Sequence, residues 1–102
     1  MAENPAITRL CGQLQRQYHP QKILVFHQKS GGAGEVTSFK VCLVVDTPDV
    51  MQLEREIYLS VESEIPFDVL VYTPAEWERL KKEAGSFASH INESGAVYHE
   101  QK

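Results

Sequence analysis

The chain has 102 residues, with ten Lys and Arg against fourteen Asp and Glu, a net charge of -4 and 42% hydrophobic residues. That length carries one domain with one modest core, and the composition excludes a disordered chain, a collagen-like repeat and a coiled coil. A net-acidic chain lacks the dense cationic face with which a general nucleic-acid binder neutralises phosphates, so nucleic acid is disfavoured as a partner.

Asn4-Pro5 predicts the first helix start. The Asn side chain caps an orphaned N–H, and Pro has no N–H to orphan. Ile7, Leu10, Cys11, Leu14 and Tyr18 then recur at helical spacing, and Pro20 pushes His19 out of the α region. Residues 22–27 (KILVFH) read as a strand. Residues 28–35, with three glycines, read as a flexible hairpin loop, and residues 36–45 as a second strand.

Thr47-Pro48 predicts the second helix start, followed by the stripe Val50, Leu53, Ile57 and Val61. Glu54, Arg55, Glu56, Glu62 and Glu64 read as its solvated face, and Pro66 as its stop. Residues 67–72 (FDVLVY) read as a third strand. Thr73-Pro74 opens a third helix, with Glu76 completing a capping box and Trp77 and Leu80 on the core side. Gly85-Ser86 predicts a break, after which Phe87, Ala88 and Ile91 continue the pattern to Gly95. Val97 and Tyr98 read either as a short terminal strand or as an extended tail. A hairpin followed by a helical crossover implies an α/β (α+β) fold. Its small mixed sheet of three or four strands has helices packed on it, in a single domain over residues 1–102.

No stretch approaches the roughly 20 apolar residues of a membrane helix. The opening residues, MAENPAITRL, have no signal-peptide pattern, so the sequence reads as cytoplasmic with no membrane partner. Cys11 and Cys42 make no CxxC or zinc spacing and read as small buried side chains. His19, His27, His90 and His99 show no metal-ligand spacing either. Asp68 reads as a turn cap or a partner of Lys40, against the alternative of a ligand contact. The loop Lys29-Ser30-Gly31-Gly32-Ala33-Gly34 reads as a hairpin connection, against the alternative of a backbone nest around a phosphate.

Taken together, residues 19–26 (HPQKILVF), 41–45 (VCLVV), 67–77 (FDVLVYTPAEW) and 86–98 resemble the minimal nucleotidyltransferase domain of the DNA-polymerase-β-like superfamily. The resemblance covers nearly all of the chain. In active members a Gly-Ser pair after the first strand holds the triphosphate. Two aspartates two residues apart on the second strand, and a third from the third strand, chelate two Mg²⁺. By this resemblance Asp68 stands at the third position. Phe39 and Val41 stand at the other two, and His27-Gln28 replaces the Gly-Ser pair. Residues 36–45 contain no acid. The flanking Glu35 and Asp46 lie more than about 30 Å apart along an extended strand.

The resemblance therefore implies a noncatalytic nucleotidyltransferase-like module, with Phe39 and Val41 filling the former catalytic floor beside Asp68. It implies binding to a small helical protein, as in prokaryotic toxin–antitoxin-like pairs, with self-association as a variant. The alternative is an active or nucleotide-binding domain with a displaced site around Asp68. In that case Mg²⁺ is the cofactor, and His27, Gln28, Ser30, Gly31, Gly32 and Lys40 are the candidates for nucleotide or phosphate contact. Otherwise no cofactor is expected.

Overall fold

Residues 4–101 are described by the structure, a computed structural model. Helix α1 (Pro5–Tyr18) begins as its cap dictates, with the Asn4 side chain accepting the amides of Ala6 at 2.9 Å and Ile7 at 3.3 Å. His19 closes it in the left-handed region at φ 49°, outside the right-handed α region as expected of the residue before Pro20. Strand β1 (Lys22–Ser30) runs three residues beyond the expected end. It turns back into β2 (Val36–Val44) as an antiparallel hairpin.

Helix α2 (Val50–Ser60) starts later than Thr47-Pro48 suggested, because Asp49 is its cap. The Asp49 carboxylate accepts the Gln52 amide at 3.1 Å, while the Thr47 hydroxyl accepts the Asp49 amide at 3.4 Å. A carboxylate at this position also complements the positive end of the helix dipole. The helix ends at Ser60, well before Pro66.

Strand β3 (Phe67–Tyr72) leads into α3 (Pro74–Leu80), where Thr73 and Glu76 form the expected capping box. The break at Gly85-Ser86 is real. The Ser86 hydroxyl donates to the Leu80 carbonyl at 2.6 Å and accepts the Ser89 amide at 3.0 Å, tying the end of α3 to the start of α4 (Phe87–Ser94). The tail forms a strand, β4 (Ala96–Glu100).

Among the described residues these elements make a small α+β domain of four helices and one mixed sheet, ordered β3-β2-β1-β4. β2 and β3 are parallel, as a helical crossover requires, and β4 lies antiparallel on the far side of β1. Alternation along the strands divides the core in two. Ile23, Val25, Phe39, Val41, Leu43, Val69 and Val71 face α1 and α2. Leu24, Phe26, Cys42 and Val44 face Trp77 of α3 and Ala88 and Ile91 of α4. Each large side chain buried in this way contributes about 1.5–3 kcal/mol.

Cys11 and Cys42 are buried and free, one in each half of the core. Burial pushes both thiols up to about 12. No described helix is long and apolar enough to cross a membrane.

Candidate functional site

The parallel register of β2 and β3 decides where the candidate residues lie. Phe39 is opposite Phe67, Lys40 opposite Asp68, and Val41 opposite Val69. Residues paired in this way share a face, and neighbours along a strand alternate. Phe39 and Val41, 1% and 0% exposed, therefore point into the core beneath α1 and α2. Asp68 is exposed and belongs with Lys40 on the opposite face.

The expectation that Phe39, Val41 and Asp68 make up one former catalytic floor is corrected here, because a strand residue one step out of phase cannot join its neighbours' face. On β2, the residues in phase with Asp68 are Ser38, Lys40 and Cys42, none of them an acid. Asp68 remains a lone carboxylate. No described group of three or more His, Cys, Asp or Glu side chains is placed to hold a metal ion.

Asp68 is engaged by α2. The Tyr58 hydroxyl donates to Asp68 Oδ1 at 3.4 Å and accepts the backbone amide of Val69 at 2.8 Å. One helical turn earlier, Glu54 Oε2 accepts the amide of Val71 at 2.8 Å. Val69 and Val71 are alternate residues of an edge strand, so their amides point along its open edge. Glu54 and Tyr58, four residues apart on α2, reach that edge together. Glu54, expected on a solvated face, is half-buried in this role. Burial raises the Tyr58 hydroxyl above its usual value; the bond from the Val69 amide opposes this and the Asp68 carboxylate adds to it. The ring completes a stack, with Tyr58 5.7 Å from Phe67 and Phe67 6.1 Å from Phe39.

The phosphate candidates lie at the other end of the hairpin. His27 sits where the register of β1 against β2 slips, with a left-handed φ of 54°. Its ring stacks on Phe26 at 6.2 Å. Gln28 is exposed, and Ser30 pairs with Val36 at the hairpin end. The Gly31 amide donates to the Glu35 carbonyl at 2.8 Å, and the Gly34 amide to the Gly31 carbonyl at 3.0 Å. Two amides that a phosphate nest would use are thus spent closing the turn. The Glu35 carboxylate lies so close over Gly31 that a Cβ there would fall 1.8 Å from it, which sets a negative group against the loop. Gly32 has open space around it. Lys40 is half-buried in mid-strand, so the candidates do not converge on one pocket.

Sequence reasoning missed the outer face of α2. Met51 is 70% exposed and Leu59 82%, with Arg55 between them at four-residue spacing. Asp49, Gln52, Glu56 and Ser60 border the same shallow depression. The signal was present in the sequence. Met51 and Leu59 fall out of phase with the stripe of Val50, Leu53 and Ile57, so one short helix cannot bury both sets. Comparisons with protein-family models, with curated proteins and with solved structures return no match.

Proposed function

We propose that this chain is a noncatalytic nucleotidyltransferase-like module that works by binding another protein. The observation that carries the reading is the exposed stripe Met51-Arg55-Leu59 on α2. Apolar side chains aligned on an outward helix face lose contact with water when a second helix lies along them, and the charged residues around them set its register. The partner we assign is a small helical protein, of the kind that accompanies such domains in prokaryotic toxin–antitoxin-like modules. The isolation of Asp68 supports the noncatalytic part. A single carboxylate holds Mg²⁺ weakly, and this one already accepts a hydroxyl.

The test is to express the products of the neighbouring reading frames, to mix the chain with any small helical protein among them, and to measure mass by light scattering. A complex is expected with the unaltered chain. The double variant Met51→Asp, Leu59→Asp should weaken it by at least about tenfold, since each change puts a charge into an apolar contact. No complex, or one indifferent to both changes, defeats the reading; a homodimer broken by them shifts it to self-association. In parallel, Mg²⁺-dependent transfer from a labelled nucleoside triphosphate, abolished by Asp68→Ala, would overturn the noncatalytic assignment.

A further inference from the structure

The crossover from β2 to β3, residues 45–66, holds six Asp and Glu against the single Arg55, a net charge of -5. The rest of the chain holds eight acids against nine Lys and Arg, a net of +1, so the chain's excess of -4 lies on the segment that contains α2. Folding keeps this charge around the Met51-Arg55-Leu59 stripe. Gln52 and Glu56 follow Met51 and Arg55 by one residue and Tyr58 precedes Leu59 by one, so at about 100° per residue they fall on opposite flanks. Asp49 and Glu56 border the depression on the first flank. On the second, Tyr58 reaches Asp68, whose Oδ1 accepts its hydroxyl at 3.4 Å. Among the described residues no ion pair includes Asp49, Arg55, Glu56 or Asp68.

This charge decides what can cover the stripe. A second copy of the same face is a poor fit. Antiparallel packing about a two-fold axis sets Met51 against Leu59, but it also sets Arg55 against Arg55 and brings together two surfaces of the same negative sign. Phosphates of nucleic acid or anionic lipid are repelled for the same reason. A helix that covers the stripe must bring positive charge to both flanks. It must also bring one negative charge to the middle. Arg55 stands between Met51 and Leu59, so docking takes its guanidinium out of water, and a buried charge needs a paired carboxylate.

Resting on the reading of this face as a docking surface, we propose that its partner is a basic amphipathic helix. Apolar side chains about two turns apart on that helix meet Met51 and Leu59, and a carboxylate between them meets Arg55. Lys or Arg on its two flanks meet Asp49 and Glu56 on one side and Asp68 on the other. Opposite charge on the two surfaces steers their encounter and sets their register.

The probe is a displayed library of helical peptides with apolar residues fixed along one stripe. Its central position varies among Glu, Lys and Leu, and its flanks among Lys, Glu and Gln. It is selected on the unaltered chain and, in parallel, on the double variant Met51→Asp, Leu59→Asp. Peptides with Lys flanks and a central Glu should be enriched at least about tenfold over Glu-flanked ones, and only on the unaltered chain. In fluorescence anisotropy, Glu56→Lys should weaken the selected peptides roughly fivefold, the effect of an exposed pair turned repulsive. Enrichment of Glu flanks, no bias at the flanks, or binding indifferent to Glu56→Lys overturns the basic-helix proposal and leaves the docking face standing. Failure of any peptide to be enriched on the unaltered chain over the double variant defeats the docking face itself, and this proposal with it.

Discussion

The Tyr58 hydroxyl accepts the Val69 amide at 2.8 Å and so closes the outer edge of β3 from the neighbouring helix. With Glu54 on Val71, it occupies two outward amides of a strand that would otherwise offer a pairing edge to another chain. Tyr58→Phe and Glu54→Ala should each lower stability by about 0.5–1.5 kcal/mol in urea denaturation. The double variant should also self-associate at high concentration in light scattering. Glu54→Gln, which keeps an acceptor oxygen, should stay close to the unaltered chain.

Stability should fall in alkali. The thiols of Cys11 and Cys42 are raised from 9.0 to about 12 by burial, so above pH 9 the unfolded chain loses protons that the folded chain keeps. Their contribution is complete below pH 9 and is lost as pH rises towards 12. The slope is about 1.4 kcal/mol per pH unit for each thiol. Denaturation under reducing conditions from pH 7 to pH 11 measures it. Cys11→Ala and Cys42→Ala should each flatten the curve while lowering its plateau.

Restoring acids at the two positions that the resemblance assigns to metal chelation should not create a metal site. Phe39→Asp and Val41→Asp place a carboxylate among Leu10, Leu14, Leu43 and Ile57 in the core under α1 and α2, on the wrong face to meet Asp68. Loss of the folded signal in circular dichroism is expected for both. Phe39→Ala should cost about 3–5 kcal/mol. Folded Val41→Asp protein that binds Mg²⁺ by calorimetry would contradict the face assignment.

The hairpin loop should distinguish its glycines. Gly34 holds φ at 85°, where an L side chain is strained, and Gly34→Ala should destabilise by roughly 1–2 kcal/mol. Gly32 has no positive φ and nothing within 4 Å of an added Cβ, so Gly32→Ala should be neutral or stabilise by up to about 1 kcal/mol. Thermal midpoints of the two variants measured side by side check this.

Local chemistry was legible without coordinates. Asn4, Thr73 and Ser86 announce helix starts because a cap is a contact between near neighbours, and the strands announce themselves by their apolar runs. The lack of an acid anywhere in residues 36–45 also needs no structure, and it leaves Asp68 alone in any register. The start of α2 was misplaced because Thr47 and Asp49 both carry capping oxygens, and only the folded turn chose between them.

The tertiary structure decided everything that depends on phase and pairing between distant segments. A shift of one residue between β2 and β3 would exchange the faces of Asp68 and Val69, and the continuous apolar run Val41–Val44 of β2, buried on both faces, has no alternation to set that register. Glu54 became an edge cap through a strand seventeen residues away, and Trp77 of α3 was buried against Leu24, Cys42 and Val44 of the sheet with no acceptor for its indole N–H among the described residues. Caps and strand propensity are properties of a few adjacent residues. Faces, edges and cavities exist only once the chain has brought remote residues together.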